Sequence, residues 1–123
     1  MNISICKSKI HKARITQCDL NYEGSLAINI DYMNEIGLYP YEKILVVNAT
    51  NGERLETYAI PGPEGTPMFC LNGAAAHRGN VGDTITIMSF GHCTQEEAVG
   101  FKPKIIVLND QNKIINKKGS LTE

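Results

Sequence analysis

Between Lys43 and Ile60 the chain reads KILVVNATNGERLETYAI, two β-rich apolar runs on either side of Asn51-Gly52. Asn-Gly favours a type I′ hairpin turn, in which both central residues take positive φ. The pattern therefore predicts strands over residues 43–49 and 53–60. Shorter apolar runs predict strands over 10–16, 25–30, 68–71, 84–89 and 105–108, the last pairing with 113–115 across Asp110-Gln111-Asn112. Helical signals are few. Asp31 is placed to cap a short turn that carries Met33 and Ile36 and stops at Gly37. Thr94-Gln95-Glu96-Glu97 has capping-box spacing, and Pro103 ends any helix beyond it.

Many short strands punctuated by Gly and Pro describe a mainly β chain, either a small closed barrel or a sandwich. No linker or repeat divides the 123 residues, which are expected to form a single domain. Hydrophobic residues at 42% and charged residues at 20% are ordinary globular usage. A net charge of -1, without a basic patch, argues against nucleic acid as a partner. Aliphatic runs such as Ile44-Leu45-Val46-Val47 are too short to cross a membrane, and MNISICKSKIHKAR lacks the apolar centre of a signal peptide. Cys6, Cys18, Cys70 and Cys93 are scattered and read as reduced thiols in a cytoplasm. His11, His77 and His92 are too widely spaced to suggest a metal site. A barrel this small is filled by its own side chains, so a catalytic site belongs at its rim or between protomers.

The candidate chemistry is dispersed. Tyr22-Glu23-Gly24-Ser25 precedes a strand, either as a plain turn or with Ser25 as a nucleophile aimed at its own preceding peptide bond. Lys9 and His11 share one face of a strand, as do Arg54 and Tyr58; each pair alone reads as a solvated surface. Thr57 falls on the face opposite Tyr58 unless a bulge intervenes. In Asn72-Gly73-Ala74-Ala75-Ala76-His77 the small side chains suit either a turn into a short helix or a ligand's approach to backbone N–H groups.

KSKIHKARIT, DLNYEGS, NGERLETYAIPGPEG, CLNGAAAHRGNVGD and ITIMSF follow one another in the order and spacing of one known family. The chain resembles bacterial aspartate 1-decarboxylases, a pyruvoyl-dependent, self-processing family, nearly end to end. That resemblance implies a double-psi β-barrel with a few short helices, assembled as a homotetramer with active sites between subunits. It implies self-cleavage between Gly24 and Ser25 into fragments 1–24 and 25–123, Ser25 becoming a covalent pyruvoyl group. It further implies decarboxylation of L-aspartate to β-alanine and CO₂ through a Schiff base, feeding pantothenate and coenzyme A biosynthesis. By matching position, Ser25 and Tyr58 are catalytic, Tyr58 as proton donor. Lys9, Arg54, Thr57, Gly73, Ala74 and Ala75 bind substrate, and Thr57 also assists cleavage at Gly24. His11, Tyr22 and Asn72 surround the centre. The chain departs from the family pattern at Lys12, often Arg, and at Leu26, often smaller or sulfur-bearing.

Two rival readings remain open on the residues alone. One is a non-catalytic barrel in which Gly24-Ser25 is only a turn. The other is a serine hydrolase using Ser25, His11 and an aspartate, although no Gly-x-Ser-x-Gly elbow is present.

Overall fold

Runs of Ile and Val suit a pleated, half-buried surface, and they supply much of the nine strands found among the described residues. The computed structural model describes residues 1–119. Its strands are β1 (Asn2–Arg14), β2 (Gln17–Asp19), β3 (Ser25–Asn29), β4 (Lys43–Asn48), β5 (Arg54–Gly62), β6 (Phe69–Asn72), β7 (Thr84–Thr94), β8 (Lys104–Leu108) and β9 (Ile114–Gly119). Two short α-helices, α1 (Ile30–Ile36) and α2 (Gln95–Ala98), and a 3₁₀ turn at Gly73–Arg78 complete it. None of these helices is long and apolar enough to cross a membrane.

The strands form one sheet in the order β2-β6-β3-β5-β4-β7-β1-β8-β9. Pairs β1–β8, β2–β6 and β3–β5 are parallel and the other neighbours antiparallel. Strands distant in this order share one core: Ile10 of β1, Leu26 and Ile28 of β3, Val46 of β4, Leu71 of β6, Ile87 of β7 and Ile106 of β8. The sheet therefore curls around that core, with Met33 and Ile36 of α1 packed into it. Each of these fully buried aliphatic side chains contributes about 1.5–3 kcal/mol of transfer free energy. The mainly β class with a few short helices is as expected. The ladder itself is open, so double-psi closure is a finer statement than the pairing carries.

The hairpin at residues 43–60 forms, but not through a type I′ turn. Asn48 N donates to Glu53 O at 2.8 Å, leaving Ala49 to Gly52 as a four-residue loop. Gly52 alone in this loop has positive φ, at 78°. The buried Asn48 side chain explains the difference: its Oδ1 accepts from Thr50 N and Asn51 N, tightening the loop from within. At α1 the cap is Asn29 rather than Asp31, since Asn29 Oδ1 accepts from Asp31 N and Tyr32 N. Gly37 closes the helix at φ 68° and α2 carries the Thr94–Glu97 capping box, both as expected. β1 and β7 run further than expected, pairing from Asn2↔Thr94 onwards. Their outer ends lie only half-buried, so apolar alternation marks them weakly. β2, three exposed residues held by β6, had no apolar signal at all.

Candidate active site

Ser25 opens β3, between β5 on one side and β6 on the other, and is buried while Gly24 before it is exposed. Its partner across the antiparallel ladder is Asn72. The Ser25 hydroxyl donates to Glu23 O at 3.2 Å and accepts from Asn72 Nδ2 at 3.1 Å. Cys70, two residues back on the same face of β6, donates its thiol to Asn72 Oδ1 at 3.1 Å. Leu26 is fully buried in the core, its side chain pointing away from the face that carries Ser25.

Gly73 holds the loop against this corner. It has φ 62°, and a Cβ there would stand 2.6 Å from both Gly24 N and Tyr22 O. No side chain fits, and the conformation is one that L-residues avoid. Gly24 differs. A Cβ on it would meet only Asn72 O, at 3.9 Å, so steric room does not reserve that position for glycine. The 3₁₀ turn then lays Ala74 and Ala75 beside Gly24, in a cleft of about 270 Å³ completed by Leu55, Glu56, Thr57 and Arg78.

β5 pairs with β4 without a register shift from Arg54 to Tyr58. Thr57 and Tyr58 consequently face opposite ways. Thr57 enters the Gly24 cleft, whereas Tyr58 packs against the Tyr41 ring, centroids 6.1 Å apart. Arg54 is exposed and lines a neighbouring hollow of about 430 Å³ with Leu45, Leu55, Glu56 and Arg78. Lys9 and His11 lie on β1, separated from β3 by β5, β4 and β7 in the sheet. His11 Nδ1 is 3.3 Å from Thr86 Oγ1. Partial burial, and then the charges of Lys9, Lys12 and Lys118, hold its imidazole below the ordinary histidine range. Ser25 bonds to Asn72 and Glu23 while His11 bonds to Thr86, so the serine–histidine pair of a hydrolase is not formed.

Of the residues singled out in the sequence, one chain thus gathers Gly24, Ser25, Thr57, Asn72, Gly73, Ala74 and Ala75, with the Tyr22 carbonyl against Gly73. It leaves Lys9, His11 and Tyr58 on other faces and Arg54 at the rim. Two residues at the corner gave no sequence signal of their own. Cys70 shares the Asn72 face by its two-residue spacing, and Arg78 ends the 3₁₀ turn, ion-paired to Glu53 at 2.8 Å.

The family model for aspartate decarboxylase matches residues 1–115. The chain belongs to the aspartate decarboxylase family. It is 46% identical to the aspartate 1-decarboxylase of Ruminiclostridium cellulolyticum, covering 95% of this chain and 91% of that one. It is 49% identical to the Caldicellulosiruptor bescii aspartate 1-decarboxylase over 94% and 90%, and 44% identical to that of Bacillus subtilis over 95% and 92%. Membership in this family implies a pyruvoyl group, and the residues fit one. The serine is buried at an otherwise exposed Gly24-Ser25 junction, and a cleft lined by Gly24, Thr57, Ala74 and Ala75 opens beside it.

Proposed function

We propose that the chain is a self-processing aspartate decarboxylase, which releases β-alanine and CO₂ from L-aspartate and so supplies pantothenate and coenzyme A synthesis. The observation that carries the self-processing half is the Ser25 hydroxyl, buried and held by Asn72 beside the exposed Gly24 carbonyl segment. Ser25 Oγ attacks the Gly24 carbonyl carbon. The Gly24–Ser25 C–N bond breaks, the hydroxyl proton passes to the Ser25 nitrogen, and an ester replaces the amide. Loss of the Ser25 Cα proton then expels Gly24 as a carboxylate by Cβ–Oγ cleavage. Water hydrolyses the dehydroalanine that remains and releases ammonia, leaving fragments 1–24 and 25–123 with a pyruvoyl group at position 25. Amide-to-ester exchange is uphill, so positioning and oxyanion stabilisation have to supply the drive. Thr57, in the cleft with Gly24, is the hydroxyl assigned to that oxygen.

In turnover the pyruvoyl ketone supplies the electron sink for the pair left on Cα as CO₂ departs. The chain's own residues bind and orient. Arg54 pairs with the side-chain carboxylate that substrate keeps, Lys9 adds a second cation, and backbone N–H groups of Gly73, Ala74 and Ala75 line the substrate. Tyr58 returns a proton to Cα. His11 and Tyr22 enclose the site.

A single chain turns Lys9 and Tyr58 away from Ser25, and this supports a homotetramer whose sites are completed by a neighbouring subunit. The cysteines, free among the described residues, suit a cytoplasmic setting. A denaturing gel with intact-mass measurement tests the reading. The protein should run as two fragments meeting at position 25, and Ser25→Ala as one uncut, inactive chain. Two fragments from Ser25→Ala would refute it.

A further inference from the structure

Asn72 meets Ser25 through one end of a carboxamide whose two ends are nearly the same shape but opposite in hydrogen-bonding sense. Packing alone does not choose between them. With its nitrogen towards Ser25, Asn72 donates to Oγ and leaves the serine proton directed at Glu23 O. With its oxygen towards Ser25, it would take that proton and offer Oγ nothing. The distinction matters because Oγ gains negative charge as Cβ–Oγ breaks and Gly24 departs as a carboxylate. A donor at Oγ assists that cleavage, which makes the cut irreversible, and a carbonyl there opposes it.

What holds the carboxamide the right way round is at its far end. Cys70 Sγ lies 3.1 Å from Asn72 Oδ1, donating its S–H. The two residues occupy alternate positions of β6 and so share a face, and both are buried, Cys70 at 6% and Asn72 at 4% exposure. Across the ladder from Cys70 stands Ala27, whose methyl leaves room for the thiol. Burial pushes the Cys70 thiol up from its ordinary range, with Asp19 and Cys18 adding to the effect, so it keeps the proton it donates. The result is one directed chain, Cys70 to Asn72 to Ser25 to the Glu23 carbonyl.

We propose that Cys70 is a positioning residue for self-processing: its thiol orients the Asn72 carboxamide so that an N–H, and not a carbonyl, faces Ser25 Oγ. The assignment rests on the self-processing reading above. It acts through Asn72 and does not touch the scissile bond.

The test follows precursor disappearance on a denaturing gel, with intact mass, for the full chain and its Cys70 variants, each also melted to record its fold. Cys70→Ala should lengthen the half-time of cutting by about tenfold, the worth of one buried neutral hydrogen bond. Cys70→Ser restores a donor at the same place and should recover the wild-type half-time to within about threefold. Cys70→Val fills the site without a donor and replaces the alanine variant should that one melt below the assay temperature. In an Asn72→Ala background, Cys70→Ala should slow cutting no further, because nothing is left to orient. Equal rates for Cys70→Ala and Cys70→Ser, or additive losses with Asn72→Ala, would overturn the proposal while leaving self-processing intact. Failure of the wild-type chain itself to be cut at position 25 would instead remove the reading beneath it.

Discussion

The corner where β3 meets β6 and the outer faces of β1 and β5 are built on opposite plans. At the corner the polar side chains are linked: Cys70, Asn72, Ser25 and the Glu23 carbonyl form one directed chain, and Gly73 is wedged against the backbone of Tyr22 and Gly24. On the outer faces Lys9, Arg54 and Tyr58 are half-buried or exposed. The contrast separates two tasks. On the proposed function, making the electrophile needs groups fixed within one chain, where burial strengthens each hydrogen bond and an unmade one is costly. Using it, on the same reading, needs cations and a phenol that meet substrate, and in the single chain these stay accessible.

The sharpest way to break that division is complementation. Tyr58→Phe alone should mature normally yet lose about 10²–10⁴-fold in turnover, the usual worth of a positioned acid. Ser25→Ala alone should be inactive. Co-expressed, the two variants should regain activity, because a site between subunits can take Ser25 from one chain and Tyr58 from the other. Absence of any recovery in mixed oligomers of verified composition would place both groups in a single chain.

A smaller effect is expected at the rim. Arg54→Ala should raise KM by about 10- to 150-fold, the range for losing a charged hydrogen-bonded pair, while cutting at position 25 proceeds at its normal rate. An unchanged KM in steady-state assays would assign the carboxylate to another cation.

The two glycines of the corner should part company. Gly73→Ala carries about 1–2 kcal/mol of left-handed backbone penalty before any clash is counted. It should lower the melting temperature by roughly 5 °C or more and slow maturation. Gly24→Ala meets no steric obstacle and should melt as the wild type does; calorimetry on the pair decides whether close approach belongs to Gly73 alone.

The smallest expected effect concerns His11. Its folded pKa lies below the unfolded value of about 6.5, so below that pH the unfolded chain binds the extra proton more readily. Stability from this source is complete above about pH 6.5 and declines as pH falls. His11→Asn should therefore flatten the acid side of a melting-temperature profile, and a slope identical to wild type would mean that other groups carry it.

Much of the strand content was legible because its signals are local. Asn51-Gly52 marked a hairpin, Gly37 a helix end and Thr94 a cap, each through chemistry reaching a few residues along the chain. The turn type at Asn51 escaped because the buried Asn48 side chain, not the dipeptide, organises the loop. The N-terminal half of β1 escaped because pairing with β7, rather than burial, makes it a strand.

For the site, the sequence supplied the reactive types, the family resemblance and the strand alternation that turns the adjacent Thr57 and Tyr58 apart. The fold alone decided that Ser25 meets Asn72, 47 residues away, that Cys70 stands behind it, and that Gly73 rather than Gly24 is the glycine without room. The physical reason is range. Backbone propensity and turn chemistry act between neighbours, whereas the burial that aligns β3 beside β6 depends on which strands share a core, and no local stretch encodes that choice.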